Sequence, residues 1–423
     1  MPIFAEKIVT MKTWSKKSQE EIKKIVFDAL SQNINYIDES ILGIPASHLD
    51  SNVFSQDASF LKDAPFMSTL VQNPNNIGCH TLGESESFFA GTQNIEKEVL
   101  AICAEDILNC EVGGYDGYIA SGGTEANIQA IWIYRNFFKQ EFDATNDDVV
   151  ILCSEDCHYS MDKAANLLSI GVQKVAVTEN TREVLVENVE TAIKNAKSNG
   201  KKYFIVVSNM MTTMYGSVDD INNYTTALTN EDCHFKLHID AAYGGFYYPF
   251  SDKNSILTFQ NEHISSFTLD AHKMAQAPYG TGVFLIRKGL IQYANTKEAS
   301  YVEGEDFTLI GSRSGANAVA VWMILMKNGP FGWQEKVFIL QKRCQWMCEQ
   351  LSEMGVEYYR NDFSNIITIR AEFVDPALAK KYGLVPDNHK NPKWFKIVVM
   401  DHVTIEKLMP LVEELKKGNA VFV

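Results

Sequence analysis

Phe235-Lys236-Leu237-His238-Ile239-Asp240-Ala241-Ala242-Tyr243-Gly244-Gly245 runs from an apolar strand into a carboxylate, two alanines and two glycines. Asp240 stands where a carboxylate is costly to bury unless a cation or hydrogen-bond donors meet it. A protonated heterocyclic nitrogen would meet that need, and so would the cap of a following helix. The small residues behind it leave room for a flat group against the backbone. Further apolar strands are expected at 148–153, 172–177, 203–208, 265–269 and 282–286, with one more ending at Tyr118-Ile119-Ala120-Ser121. Helical stretches such as 92–110 and 124–138 lie between them. Short apolar strands alternating with helices predict an α/β fold with a mainly parallel, seven-stranded sheet covered on both faces. In such sheets ligands bind beyond the carboxyl ends of the strands.

Three more motifs fall at strand ends. Ser121-Gly122-Gly123-Thr124-Glu125-Ala126-Asn127 places two glycines between a strand and a helix, so backbone N–H groups and the Thr124 hydroxyl can approach an anion. A tight turn with a threonine cap explains the same residues. Asp270-Ala271-His272-Lys273 offers a lysine that desolvation can turn into a nucleophile for a carbonyl, or a solvated turn lysine. Cys157-His158-Tyr159-Ser160 offers a ring that could stack on a flat group, or a surface histidine. His234 and His238 have HxxxH spacing, but on a strand this is not the helical geometry of a zinc pair, and no metal is expected.

Around this core, residues 15–32 are expected to form an amphipathic helix with a Ser18/Glu21 capping box. Residues 36–76 read as an irregular arm. After Gly311, helices are expected at 316–328 and 332–354, strands at 365–371 and 395–400, and a last helix at 404–417. The resulting division is an N-terminal helix and arm (1–75), a large α/β domain (76–325) and a small C-terminal α+β domain (326–423).

Thirty-eight Lys plus Arg against fifty-three Asp plus Glu give a net charge of −15, which makes nucleic acid or an anionic membrane a poor partner. The longest apolar runs are half the roughly 20 residues of a membrane helix. The first residues lack a basic and then apolar leader, and the eight cysteines show no CxxC pair, so reduced thiols in a cytoplasmic protein are expected.

A phosphate cradle, an acid for a ring nitrogen, a stacking ring and a nucleophilic lysine are together what pyridoxal phosphate requires. The ordered set SGGTEAN, CHYS, HIDAAYGG, DAHK and Gly311-Ser312-Arg313-Ser314-Gly315 resembles the group II pyridoxal-phosphate-dependent amino-acid decarboxylases. The likeness runs from about residue 75 to the C-terminus. The stretch Lys396-Ile397-Val398-Val399-Met400-Asp401-His402-Val403-Thr404 is similar to the tail of the histidine and serine decarboxylase branch.

The resemblance implies a fold type I enzyme that converts an L-amino acid to its amine and carbon dioxide through a lysine Schiff base and a quinonoid intermediate. Lys273 would carry the Schiff base, Asp240 would pair with the ring nitrogen, Ala242 would pack under the ring and His158 would stack over it. Thr212, in Met211-Thr212-Thr213-Met214-Tyr215-Gly216, would approach the cofactor's 3-hydroxyl. Gly123, Thr124 and His272 would hold the phosphate. Gly311 and Ser312 would reach in from a partner subunit, which implies a homodimer with its active site at the interface. Met211 departs from the family, which often has glycine there; its side chain would narrow the site or tilt Thr212. Tyr301 is the candidate acid on a loop over 296–307, and equally a packing residue. His80 and Thr81, in the segment 77–84, are candidates for the substrate side. An aminotransferase using Arg370 for the substrate carboxylate, a carbon–carbon lyase resembling sphingosine-phosphate lyase, and a catalytically idle binding protein stay open.

Overall fold

The computed structural model describes residues 11, 13–35, 39, 41, 43, 49–50, 52–55, 57–77, 87–294 and 305–419. One sheet holds seven strands: β1 (Tyr115–Ala120), β2 (Val149–Ser154), β3 (Gly171–Val175), β4 (Tyr203–Asn209), β5 (His234–Ala241), β6 (Ile264–Asp270) and β7 (Gly282–Arg287). Their order is β1-β7-β6-β5-β4-β2-β3. β7 runs antiparallel to β1 and β6, and the remaining pairs are parallel. β2 and β6 are buried from end to end, as strands of a sheet covered on both faces are, and β6 buries Ser265, Ser266 and Thr268 along with its apolar residues.

Alternate residues of each strand feed two layers. Ile151, Ile205, Val207 and Phe284 pack with Ile131 and Phe138 of the helix Gly123–Phe142. Val150, Leu152, Phe204 and Val206 face the other way, toward Val99, Ile193 and Leu228 of the helices Ala90–Ala101, Val186–Ser198 and Ile221–Asn230. The amphipathic helix Gln19–Leu30 joins that second layer, and its Ser18/Glu21 capping box forms as expected.

A second, antiparallel sheet has the order β10-β11-β9-β8, from β8 (Tyr358–Tyr359), β9 (Ile366–Arg370), β10 (Val385–Pro386) and β11 (Trp394–Val398). The helical stretch Gly315–Glu353 leads to it and breaks at Gly329 (φ 64°) before Pro330, between the two helices expected there. The helix Ile405–Asn419 packs on that stretch and ends the described chain.

Two segments differ from the sequence reading. The arm over 36–76 holds a 3₁₀ turn, Ser59–Asp63, and a helix, Pro65–Gln72. Its buried residues include the polar Ser68 and Thr69, whose hydroxyls donate to the carbonyls of Leu61 (2.7 Å) and Pro65 (2.8 Å), so no apolar stripe announces it. The helix expected over 92–110 becomes a π-helix at Ile102–Ile107, where Leu108 N–H donates to Cys103 O at 3.1 Å. Among the described residues, no helix is long and apolar enough to cross a membrane.

Candidate active site

The strand ends meet in register. Asn209 of β4 lies opposite Asp240 of β5, Asp240 opposite Thr268 of β6, and Asp270 opposite Gly282 of β7, which faces Ala120 of β1. The turn after β1 needs its glycines. Gly122 takes φ 151°, and a Cβ on Gly282 would lie 2.6 Å from the Gly122 backbone.

A narrow cleft opens at these ends, with His158, Asn209, Thr212, Asp240, Ala242 and Lys273 in its wall. Residues separated by up to 115 positions therefore share one wall. Asp240 is buried and accepts Asn127 Nδ2–H on Oδ2 (2.9 Å) and Ala242 N–H on Oδ1 (3.1 Å). Among the described residues, no Lys, Arg or His side chain forms an ion pair with it.

Behind Asp240 runs a chain of neutral donors. Asn127 Nδ2 also reaches Ser160 Oγ (3.0 Å), and Asn127 Oδ1 lies 3.0 Å from His238 Nε2. His238 Nδ1 lies 2.6 Å from Ser266 Oγ, which accepts the Tyr134 hydroxyl. Burial pushes the His238 imidazole down to about 4, so the ring is neutral and can donate from one nitrogen only. Ser160 extends the network to His158, with its hydroxyl 2.9 Å from Nδ1 and its N–H donating to the same nitrogen at 3.2 Å. Burial also lowers His158, against the pull of Asp240. A ring in the cleft wall with Nδ1 accepting suits stacking rather than proton delivery.

The second acid is arranged differently. Asp270 Oδ2 accepts Gly123 N–H (3.1 Å), and Oδ1 stands 2.7 Å from His272 Nδ1. That pair is at ion-pair distance without hydrogen-bond geometry, and both atoms lack another partner. Burial pushes the Asp270 carboxyl up, with Lys273 and His272 opposing it. Gly123 N–H, Gly122 and the His272 ring are thus gathered on one side of the cleft without lining it.

Thr212 is buried, its hydroxyl 2.7 Å from Ser217 Oγ. Met211 before it takes φ 69°, the left-handed region where glycine is at ease, and its side chain is buried. The expected departure is thus a strained one. Two neighbours of the site had no clear signal in the sequence. Asn209 Nδ2 donates to Ser154 Oγ (3.0 Å) and to buried Asp219 (2.8 Å). Lys396 of β11 donates to Thr213 O (2.9 Å), and burial and then Lys273 push its ammonium down. Asn127 lies in SGGTEAN and His238 in HIDAAYGG, where its place two residues before Asp240 puts both on one face of the strand.

Gly311 and Ser312 do not line the cleft of their own chain. Ser312 Oγ accepts from Asn75 Nδ2 (3.3 Å), and the next residue, Arg313, is buried against Glu96 and the Ile119 carbonyl. Tyr301, His80 and Thr81 lie outside the described residues. Arg370 is occupied elsewhere, bonded to Glu357 (3.0 Å), close to Glu179 and stacked 4.0 Å over Trp394. That removes the arginine on which the aminotransferase reading rested.

The residues fit pyridoxal phosphate by their chemistry: a buried carboxylate with no cation paired to it among the described residues, His158 and Ala242 in the wall of one cleft, and a lysine in the same wall. Residues 94–361 match the family model of the pyridoxal-dependent decarboxylase conserved domain. The chain belongs to the pyridoxal-dependent decarboxylases. It is a pyridoxal-phosphate-dependent amino-acid decarboxylase, similar over 97% of its length to the tryptophan decarboxylase of Clostridium sporogenes (47% identity, 98% of that protein). It is 30% identical to a probable L-aspartate decarboxylase of Archaeoglobus fulgidus, over 84% of this chain and 96% of that one. The L-methionine decarboxylase of Streptomyces sp. 590, solved with L-methionine methyl ester, shares the decarboxylase fold at TM-score 0.68 and 20% identity, covering 85% of this chain and 89% of its own.

Proposed function

We propose that this decarboxylase acts on an aromatic L-amino acid, tryptophan foremost, releasing carbon dioxide and the amine. The likeness to the Clostridium sporogenes tryptophan decarboxylase, 47% over nearly both whole chains, carries the substrate assignment.

The proposed roles follow the geometry. Pyridoxal phosphate, when bound, supplies an electron sink for the pair released as the Cα–carboxylate bond breaks. Lys273 Nζ is the covalent anchor for its aldehyde. Asp240, charged and held by neutral donors, keeps a proton on the ring nitrogen. His158 covers one ring face and Ala242 supports the other, while Thr212 approaches the 3-hydroxyl. Gly123, Thr124 and His272 hold the phosphate, with Gly311 and Ser312 supplied by a second copy. Tyr301, from the resemblance alone, is the candidate to deliver the proton to Cα. His80 and Thr81, from the resemblance alone, are the candidates to select the substrate side chain. Lys396 adds a second positive charge beside Lys273, which draws a carboxylate toward the cleft.

The homodimer is supported by exposed apolar side chains next to the Gly311 segment. Tyr279 is 88% exposed and Ile310 43% exposed, and Asn317 Nδ2 ties the two segments by donating to Gly280 O (2.6 Å). A cytoplasmic setting agrees with the free thiols of the described cysteines. Turnover of tryptophan, tyrosine, phenylalanine, histidine, aspartate and methionine, with amine and carbon dioxide followed together, tests the proposal. Tryptamine with equal carbon dioxide and the highest kcat/KM is expected. A preferred non-aromatic substrate would overturn the aromatic assignment.

A further inference from the structure

Cys153 lies near the end of β2, and Cys157 follows a turn closed by its own N–H on Ser154 O (3.2 Å). The turn brings the two thiols into contact, Sγ to Sγ 3.3 Å. Lys174 of β3 places Nζ 3.1 Å from Cys157 Sγ, and Asp162 stands 3.3 Å from the same ammonium. Cys153 is fully buried, whereas Cys157 is partly open to solvent. The next residue along the chain is His158, in the wall of the cleft.

The two thiols are chemically unlike. The hydrogen bond from Cys153, and then Lys174, hold the Cys157 thiol below its ordinary range against burial. That same bond and burial push Cys153 up. Among the described residues, Cys110 and Cys344 are unlike Cys157: burial pushes Cys110 up to about 11 and Cys344 up to about 12. An accessible thiolate beside a cation, touching a buried thiol, is the arrangement that thiol–disulfide exchange uses.

We propose that Cys153 and Cys157 form a redox-active dithiol whose oxidation to a disulfide displaces His158 and switches the enzyme off. The oxidant is a low-molecular-weight disulfide. Cys157 thiolate attacks one of its sulfurs, breaking the S–S bond, forming a mixed disulfide and releasing one thiol. Cys153 then loses its proton and attacks Cys157 Sγ, releasing the second thiol. Two protein thiols are oxidised, one small disulfide is reduced, and both thiol protons end on the released thiols. The sulfurs must close from 3.3 Å to about 2.05 Å. Asp156 between them is held to Arg182 by a half-buried ion pair, so the movement falls on Cys157 and His158. A displacement of about 1 Å at a group that positions the reacting centre costs on the order of 10²-fold in rate.

The holoenzyme treated with oxidised glutathione tests this. Both cysteines lie between the cleavable Lys139 and Lys163, so one tryptic peptide reports on them. That peptide is expected to lose two hydrogen atoms and to escape alkylation by iodoacetamide, with turnover falling about 10²-fold. Dithiothreitol should restore both. Cys153→Ser should turn over normally and stop at glutathione on Cys157, and Lys174→Met should slow the first step. Cysteines 153 and 157 staying alkylatable after other thiols have reacted would overturn the dithiol. A disulfide formed with turnover unchanged would overturn its link to His158. The mass readout is independent of which amino acid is decarboxylated, so it separates this proposal from the substrate assignment.

Discussion

Two aspartates close neighbouring strands of this sheet, and they are held in opposite ways. Asp240 accepts from an amide side chain and a backbone N–H at 2.9 and 3.1 Å, backed by the neutral His238. Asp270 faces His272 without hydrogen-bond geometry, and burial pushes its carboxyl up. Neutral donors stabilise a charge without cancelling it, so Asp240 stays ready for a cation that arrives with the cofactor. Asp270 instead positions its neighbours, accepting Gly123 N–H at 3.1 Å with His272 beside it.

Asp240→Asn should have the largest effect. Removing one partner of a buried charge pair costs about 3–5 kcal/mol, here an expected loss of about 10²–10⁴-fold in kcat with cofactor still bound. Steady-state kinetics beside cofactor absorbance would show it. If Asp270→Asn lowered kcat more, the contrast between the two acids would be reversed.

A third buried acid sharpens the comparison through pH. Asp219, which accepts from Asn209, is pushed up to about 7 by burial, so it adds stability below its ordinary 3.8 that is lost as pH rises through 7. His238, pushed down to about 4, adds stability above its ordinary 6.5 that is lost as pH falls through 4. Between pH 4 and 6.5 the two slopes oppose. Asp219→Asn leaves the His238 slope alone, so over that window denaturant melts should show the variant losing about 3 kcal/mol more than wild type as pH falls.

For Asp270→Asn, about 1–3 kcal/mol is expected from the loosened Gly123 and His272. It should appear as a cofactor Kd raised roughly tenfold, with kcat at saturating cofactor changed only a few-fold. The smallest effect lies on the loop facing Asp240. Because Met211 holds φ 69°, Met211→Gly should be more stable than Met211→Ala by about 1 kcal/mol, the reverse of the usual order. Equal melting temperatures for the two variants would remove the strain from that loop.

Much of the site was legible because the buried strands are rich in apolar residues, and Asp240, Asp270 and Lys273 stand out at or just past their ends. The helix Pro65–Gln72 was not, since Ser68 and Thr69 on its buried side hide its period behind local hydrogen bonds. Arg370 looked free for a carboxylate until Glu357, Glu179 and Trp394 were seen around it.

By itself the sequence determined the strand and helix types, the kinds of charge at the strand ends and the family to which their order belongs. Those follow from burial, which selects residue types locally. Only the tertiary structure decided what touches what. The strand order sets Asn209, Asp240 and Thr268 abreast, brings Asn127 onto Asp240 from 113 residues away, and lays Lys174 against Cys157. Such polar contacts bridge segments far apart in the chain and leave no periodic mark in either one.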